Sequence, residues 1–345
     1  MVTIRVFLAV AAVKKWELHQ MDVHNAFLHG DLSEEVYMRL PPGFDKGRPA
    51  PRCWFSKLAA ALKRYGFSQL YSDYSLFTLC KGQTRLHVLV YVDDLVISGN
   101  DSAAISTFKQ YLSSCFHMKD LGVLKYFLGV EVARSQEGIF LSQRKYALDI
   151  ISEAGLLGSK PVAFPMEQNL RLPSSTSVVL RDAECYRRFC MSLVRIIECR
   201  EVSESCSATR RSVSGWIVFL GKSPVLWKSK KQEAVSRSSA EAEYCSMAVV
   251  TCELRWLKGL LACFGVAHTK SMELFCDSQS AVHERTKHIE IDCHFLRDVV
   301  LEGIIRMNHV STTNQLADIF TKALGKWPFE FLLRKLGILD LHTPT

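Results

Sequence analysis

The spacing of apolar and polar positions divides the chain into two regular stretches joined by a segment with no clean period. Residues 1–12 are apolar on nearly every side and predict a buried or amphipathic helix. From Trp16 to Val23 the pattern becomes that of a strand ending in an acid, Asp22. Pro41-Pro42-Gly43 and Gly47-Arg48-Pro49 are loop signals, and Trp54 to about Tyr65 reads as a helix. Leu86–Val92 and Leu95–Ser98 are β-rich apolar runs separated by Asp93-Asp94, which predicts a hairpin with the acid pair at its tip. A second hairpin is expected from Tyr126 to Leu141, turning at Gln136-Glu137-Gly138. A helix follows from about Gln143 to Glu153 and stops at Gly155.

Residues 160–177, rich in Pro and Ser, read as linker, and residues 181–211 give no period. Beyond Ser212 the pattern recovers. Strands are expected at Val213–Leu220, Pro224–Trp227, Met272–Cys276 and Ile304–Val310. Ser238-Ser-Ala-Glu241 is a capping box that opens a long helix reaching Phe264. A further helix covers Ile289–Leu301, and a last one is expected from about Asn314 through Asp318. There are no internal repeats.

Composition narrows this picture only modestly. Of 345 residues 48% are hydrophobic and 23% charged, which excludes a disordered or fibrous chain, and the length suits about two domains. The net charge of +8 leans towards a polyanionic partner, yet it is spread over both halves rather than gathered in a tail. Twelve cysteines without a CxxC pair fit reduced thiols in an intracellular protein. His283, His288 and Cys293, beside His294, form the one His/Cys cluster; a zinc module there competes with a plain polar helix. The opening helix mimics a short signal peptide, but Lys14, Lys15 and Glu17 follow at once, so secretion is not expected. No stretch approaches the ~20 apolar residues of a membrane span.

The acids carry the chemistry. Adjacent carboxylates beside apolar strands repel each other and lose hydration, costs that a bound divalent cation offsets. Asp93-Asp94 alone could be a solvated turn. Asp22 also ends an apolar strand, and three acids at neighbouring strand ends can hold two metal ions for phosphoryl transfer.

These residues carry a family likeness. Leu18–Gly30, Glu35–Phe44, Tyr91-Val-Asp-Asp94, Met118–Gly122, Tyr126–Gly129 and Leu141–Gln143 resemble the reverse transcriptase of copia-type LTR retrotransposon Pol polyproteins. Arg210–Gly215, Trp227–Gln232, Val235–Tyr244, Cys276–Ser280, Thr286–Glu290 and Gln315–Lys322 resemble the ribonuclease H region of the same polyprotein. The resemblance implies an α+β chain in two parts. Residues 1–166 would be a palm-like antiparallel sheet with helices, 167–209 a junction, and 210–345 a ribonuclease H-like mixed α/β domain. It implies Asp22, Asp93 and Asp94 as metal ligands of the polymerase, with Tyr91 beside the primer end and Arg52 on the substrate. Glu243, Asp277 and Asp318 would be metal ligands of the nuclease. Magnesium or manganese would be the cofactor. RNA template, DNA primer, RNA–DNA hybrid and deoxynucleoside triphosphates would be the partners, in the cytoplasm or nucleus.

The sequence also departs from that pattern. The expected basic fingers segment is absent, the region between Phe44 and Trp54 is short, and the strand bearing the first nuclease aspartate is missing around Cys185–Thr209. The stretch between Ser280 and His283 is abridged as well. Glu201 or Glu204 could stand in for the lost aspartate, but the residues around them do not read as that strand. Both domains are therefore expected to be incomplete and this copy impaired, the alternative being a non-catalytic relic that binds phosphate backbones weakly.

Overall fold

A computed structural model describes residues 2–23, 51–136, 138–160, 211–233, 235–236, 238–279 and 290–338. They group into two compact units, Met1–Ser142 with Gly259–Ala267, and Gln143–Lys258 with His268–Thr345.

The first unit opens with helix α1 (Val2–Val13), whose buried positions include Val6, Phe7, Val10 and Ala11. Strand β1 (Glu17–Val23) enters a six-stranded sheet with β2 (Ser68–Gln69), β3 (Leu76–Lys81), β4 (Thr84–Tyr91), β5 (Asp94–Gly99) and β6 (Met118–Val123). The order is β2-β3-β4-β5-β1-β6, with every pairing antiparallel. Alternation along the strands divides the sheet into two faces. On one, Met21 and Val23, Leu86, Val88 and Val90, and Leu95 and Ile97 share a core with helices α2 (Pro51–Tyr65) and α3 (Ser102–Cys115). Trp54, Leu58 and Leu62 from α2 and Ile105, Phe108 and Leu112 from α3 fill it. The sequence pattern had given no separate signal for α3. Its start is fixed locally by Asp101, whose side chain accepts from Ala104 N at 3.0 Å.

The opposite face presents Leu18, Gln20 and Asp22, then Asp94, Val96 and Ser98, then His87, Leu89 and Tyr91. Over its middle Trp16 stacks on His87 at 4.8 Å, and Phe264 meets the same imidazole at 5.1 Å. The end carrying Asp22, Asp94 and Tyr91 is more open, with Tyr91 47% exposed. The expected second hairpin is a three-stranded meander, β7 (Tyr126–Phe127), β8 (Val130–Arg134) and β9 (Ile139–Ser142).

The second unit begins with helix α4 (Arg144–Glu153), ended by Gly155 at φ +68. Strands β10 (Val213–Leu220) and β11 (Ser223–Lys231) pair antiparallel, and β12 (Met272–Cys276) pairs parallel with β13 (Ile305–His309). Among the described residues these are two separate two-stranded sheets. Between them in sequence runs helix α5 (Ser239–Cys263), capped as its sequence foretells: Ser238 Oγ accepts from Glu241 N at 3.1 Å. Helix α6 (Glu290–Leu301) follows.

Asp318 does not lie in a final α-helix beginning near Asn314. Residues Thr312–Asn314 and Leu316–Phe320 are two 3-10 turns, and the last α-helix, α7, spans Lys326–Lys335. The side chain of Gln315 accepts from Ala317 N and starts the second turn tightly, while Gly325 and Pro328 suit the start of α7, where the first N–H groups need no helical acceptor. Among the described residues no helix is long and apolar enough to cross a membrane.

Candidate functional site

In the first unit the antiparallel register sets Asp22 of β1 directly opposite Asp94 of β5. Residues directly opposite share a face and bring their Cβ atoms to about 5 Å. Asp93 occupies the adjoining turn. The two central residues of that turn are Val92 and Asp93, since β5 already starts at Asp94; the acid pair therefore straddles the turn and the strand instead of forming the tip alone.

Val92 has φ +58, a conformation that strongly disfavours a β-branched residue and is usually filled by glycine at the first position of a two-residue hairpin turn. Two contacts hold it there. Trp54 Nε1 donates to Val92 O at 3.0 Å, and Val23 N donates to Asp93 O at 3.0 Å. The first ties the turn to α2, the second to β1. The carboxyl of Asp94 is half-buried and its pKa is raised, chiefly by burial, with further contributions from the negative charges of Asp93 and Asp22. A hydrogen bond from Gln20 Nε2 to Asp94 Oδ1 at 2.9 Å works in the other direction.

In the second unit a different trio converges. Glu243, on the first turns of α5, has its pKa raised by burial and by the charges of Asp277 and Asp318. Asp277 follows the last residue of β12, and His309 Nε2 lies 3.2 Å from its carbonyl oxygen. Asp318 is buried and pairs with Lys322 Nζ, four residues on, at 3.1 Å. Its 3-10 turn sits against β10 at Gly215, where a Cβ would fall 2.4 Å from Thr321 Cγ2 and 3.3 Å from Ala317 O. Only glycine permits that approach, so Gly215 helps to place Asp318. Glu243, Cys276 and Asp277 each offer a ligand atom within 4.8 Å of the others. Burial and the nearby Glu243 push the Cys276 thiol up to about 12, so it stays protonated and makes a weak contact to Glu243 Oε2 at 3.6 Å.

Residues 1–168 match the family model of the reverse transcriptase (RNA-dependent DNA polymerase). Over 98% of its length the chain is 35% identical to the Retrovirus-related Pol polyprotein from transposon RE2 of Arabidopsis thaliana. The chain belongs to the copia-type retrotransposon Pol family. It is also 28% identical, over 98% of its length, to the Pol polyprotein from transposon TNT 1-94 of Nicotiana tabacum. An uncharacterized mitochondrial protein of Arabidopsis thaliana matches at 30% identity over half of the chain and 94% of that protein. The chain spans 29% of the RE2 polyprotein and 32% of the TNT 1-94 one. The RE2 alignment runs over 418 residues and the whole chain has 345, so the relative carries at least 73 residues without a counterpart here.

The residues expected of a copia-type Pol chain are distributed as follows. Asp22 and Asp94 meet across β1 and β5 beside Asp93, while Tyr91, opposite Asp94 on β4, shares their face and packs edge-on against Phe127 at 6.4 Å. Glu243, Asp277 and Asp318 gather in the second unit. Arg52 falls in the first turn of α2, its side chain outside the described residues. Glu201, Glu204, His283 and His288 also lie outside the described residues, while Cys293 is half-buried on α6. Neighbours absent from the expected set include Gln20, Trp54, Gly215, Cys276 and Lys322. Gln20 was within reach of the pattern, since two residues before Asp22 on a strand means the same face. Trp54 and Gly215 act on segments far away in sequence.

Proposed function

We propose that residues 1–166 form the palm of an RNA-directed DNA polymerase and residues 210–345 a ribonuclease H-like domain, with 167–209 as their junction. The observation carrying the polymerase reading is the β1–β5 register that puts Asp22 opposite Asp94, next to Asp93. Three carboxylates at one sheet end are costly while charged; the pKa of Asp94 is raised chiefly by burial, and the charges of Asp93 and Asp22 add to it. Such a set of hard oxygen donors fits magnesium or manganese. Asp22, Asp93 and Asp94 would hold the ions. When bound, they supply Lewis-acid activation of the attacking oxygen and neutralise charge on the departing phosphates.

In the reaction the primer 3′ hydroxyl loses its proton, its oxygen bonds to the α-phosphorus of a deoxynucleoside triphosphate, and the bond to pyrophosphate breaks. The chain's own contribution is placement. The sheet fixes Asp22 and Asp94 by backbone pairing, Trp54 and Val23 pin the turn bearing Asp93, and Tyr91 offers a half-exposed ring on the same face for the primer end. Arg52 is assigned to the incoming triphosphate. In the second unit, Glu243, Asp277 and Asp318 would hold divalent ions for cleavage of the RNA strand of an RNA–DNA hybrid.

A second reading has its own support. At least 73 residues of the RE2 polyprotein have no counterpart here, and the four described strands of the second unit form two separate pairs. A site that lacks positioning elements loses rate steeply, about a hundredfold for 1 Å of misplacement. This copy is then an impaired enzyme or a relic that grips phosphate backbones through Lys and Arg. Primer extension on an RNA template with magnesium, comparing the chain with its Asp93→Asn variant, separates the two. Incorporation that depends on Asp93 supports the polymerase. Equal incorporation by both ends that reading.

A further inference from the structure

Gln20 is 8% exposed and lies on the same sheet face as Asp22, two residues along β1. Its Nε2 donates to Asp94 Oδ1 at 2.9 Å. The partner is diagonal to it, because the residue opposite Gln20 on β5 is Val96. Gln20 therefore reaches along the sheet to one carboxylate oxygen instead of pairing straight across. A buried amide could satisfy itself in many ways. Here it binds one oxygen of the Asp94 carboxylate, the residue that the β1–β5 register sets opposite Asp22.

We infer that Gln20 is a positioning residue: by holding Asp94 Oδ1 it fixes the plane of that carboxylate and presents Oδ2 to a divalent cation. This rests on the reading of Asp22, Asp93 and Asp94 as a cation site and adds a residue to it. Partners that orient a metal ligand typically control affinity by 10–100-fold without touching the ion. Gln20 makes no bond to the cation or to the reacting atoms.

The test measures manganese binding to the full chain by the loss of the free-ion electron paramagnetic resonance signal. An Asp277→Asn background silences the cluster in the second unit. Gln20→Met keeps the volume and removes the donor; Gln20→Asn keeps an amide but withdraws it by one methylene, and serves if the first variant fails to fold. Both variants are expected to weaken manganese binding about tenfold or more while leaving the thermal midpoint within a few degrees. A structural role alone would lower the midpoint and spare the affinity. Asp93→Asn is the control on the underlying site. If Asp93→Asn leaves binding unchanged, the cation site itself is wrong. If Asp93→Asn weakens binding and both Gln20 variants match the parent within twofold, the site stands and the role of Gln20 is overturned.

Discussion

The buried imidazole of His87 makes the stability of the first unit depend on pH in a way that can be worked out beforehand. His87 is fully buried on β4, between Trp16 and Phe264, and neither ring nitrogen has a hydrogen-bond partner among the described residues. Burial, aided by the charge of Arg85, lowers its pKa from 6.5 to about 4. The unfolded chain takes up a proton as pH falls below about 6.5, whereas the folded chain resists until about 4. Stability from this residue is thus complete above the unfolded pKa, is lost through the window between the two values, and is gone below about 4. The gap between 6.5 and about 4, at 1.36 kcal/mol per pH unit, gives about 3 kcal/mol in all, of which most is lost by about pH 4.5. Native-state hydrogen exchange of a peptide spanning residues 84–99 reads this locally, without assuming that both units unfold together. His87→Leu removes two unpaired polar atoms at the cost of an aromatic contact, so near pH 7.5 it should lie within about 1 kcal/mol of the parent. Between about pH 7.5 and 4.5 the parent should lose about 2–3 kcal/mol more protection than the variant. Parallel pH profiles for the two proteins would show that His87 is not the source of the loss, because other titrating groups are common to both.

Other expectations follow from single contacts. Val92→Gly should raise the stability of the first unit by about 1 kcal/mol in urea unfolding, since relief of a strained φ outweighs the added backbone entropy. Trp54→Phe removes the donor to Val92 O and should lower stability by about 1 kcal/mol, an effect that shrinks when Val92→Gly is already present; the double-mutant cycle measures the coupling. In an Asp277→Asn background, Asp94→Asn should raise the thermal midpoint of the metal-free chain and abolish its stabilisation by added magnesium. Gly215→Ala should cost about 1–3 kcal/mol, read by thermal unfolding, because the new methyl meets Thr321 and the backbone of Ala317.

Local signals accounted for much of what could be read in advance. The alternation in Glu17–Val23 and Leu86–Ser98 requires strands, and the two-residue separation requires a hairpin, so the meeting of Asp93 and Asp94 was legible at once. The pairing of β1 with β5 was not, since nothing in residues 17–23 selects a partner more than 70 residues away. Likewise the turn geometry at Val92 contradicts the preference of its own residue type and is maintained from outside, by Trp54 and Val23. The 3-10 turn at Asp318 escaped for a related reason. Its apolar residues Leu316, Ile319 and Phe320 repeat at helical spacing, but they serve a small core with Leu332 and Leu336 that is completed only after the chain has turned again at Gly325.

The two carboxylate clusters differ in how many separate supports they need. Asp22, Asp93 and Asp94 depend on one continuous antiparallel trio, β4-β5-β1, whose backbone ladders set the spacing regardless of the segments on either side. Glu243, Asp277 and Asp318 depend on a helix, the end of a parallel strand and a 3-10 turn, and the last is held by an approach to β10 that one methyl group would block. Loss of connecting segments therefore weighs unequally on them. A hairpin and its neighbour can keep three acids together after insertions vanish elsewhere, whereas a cluster assembled from three independently packed elements loosens as soon as one of them loses its backing. Divalent-cation affinity should accordingly survive better at Asp22, Asp93 and Asp94 than at Glu243, Asp277 and Asp318, and manganese titrations of Asp277→Asn against Asp93→Asn would reverse that ranking if the argument is wrong.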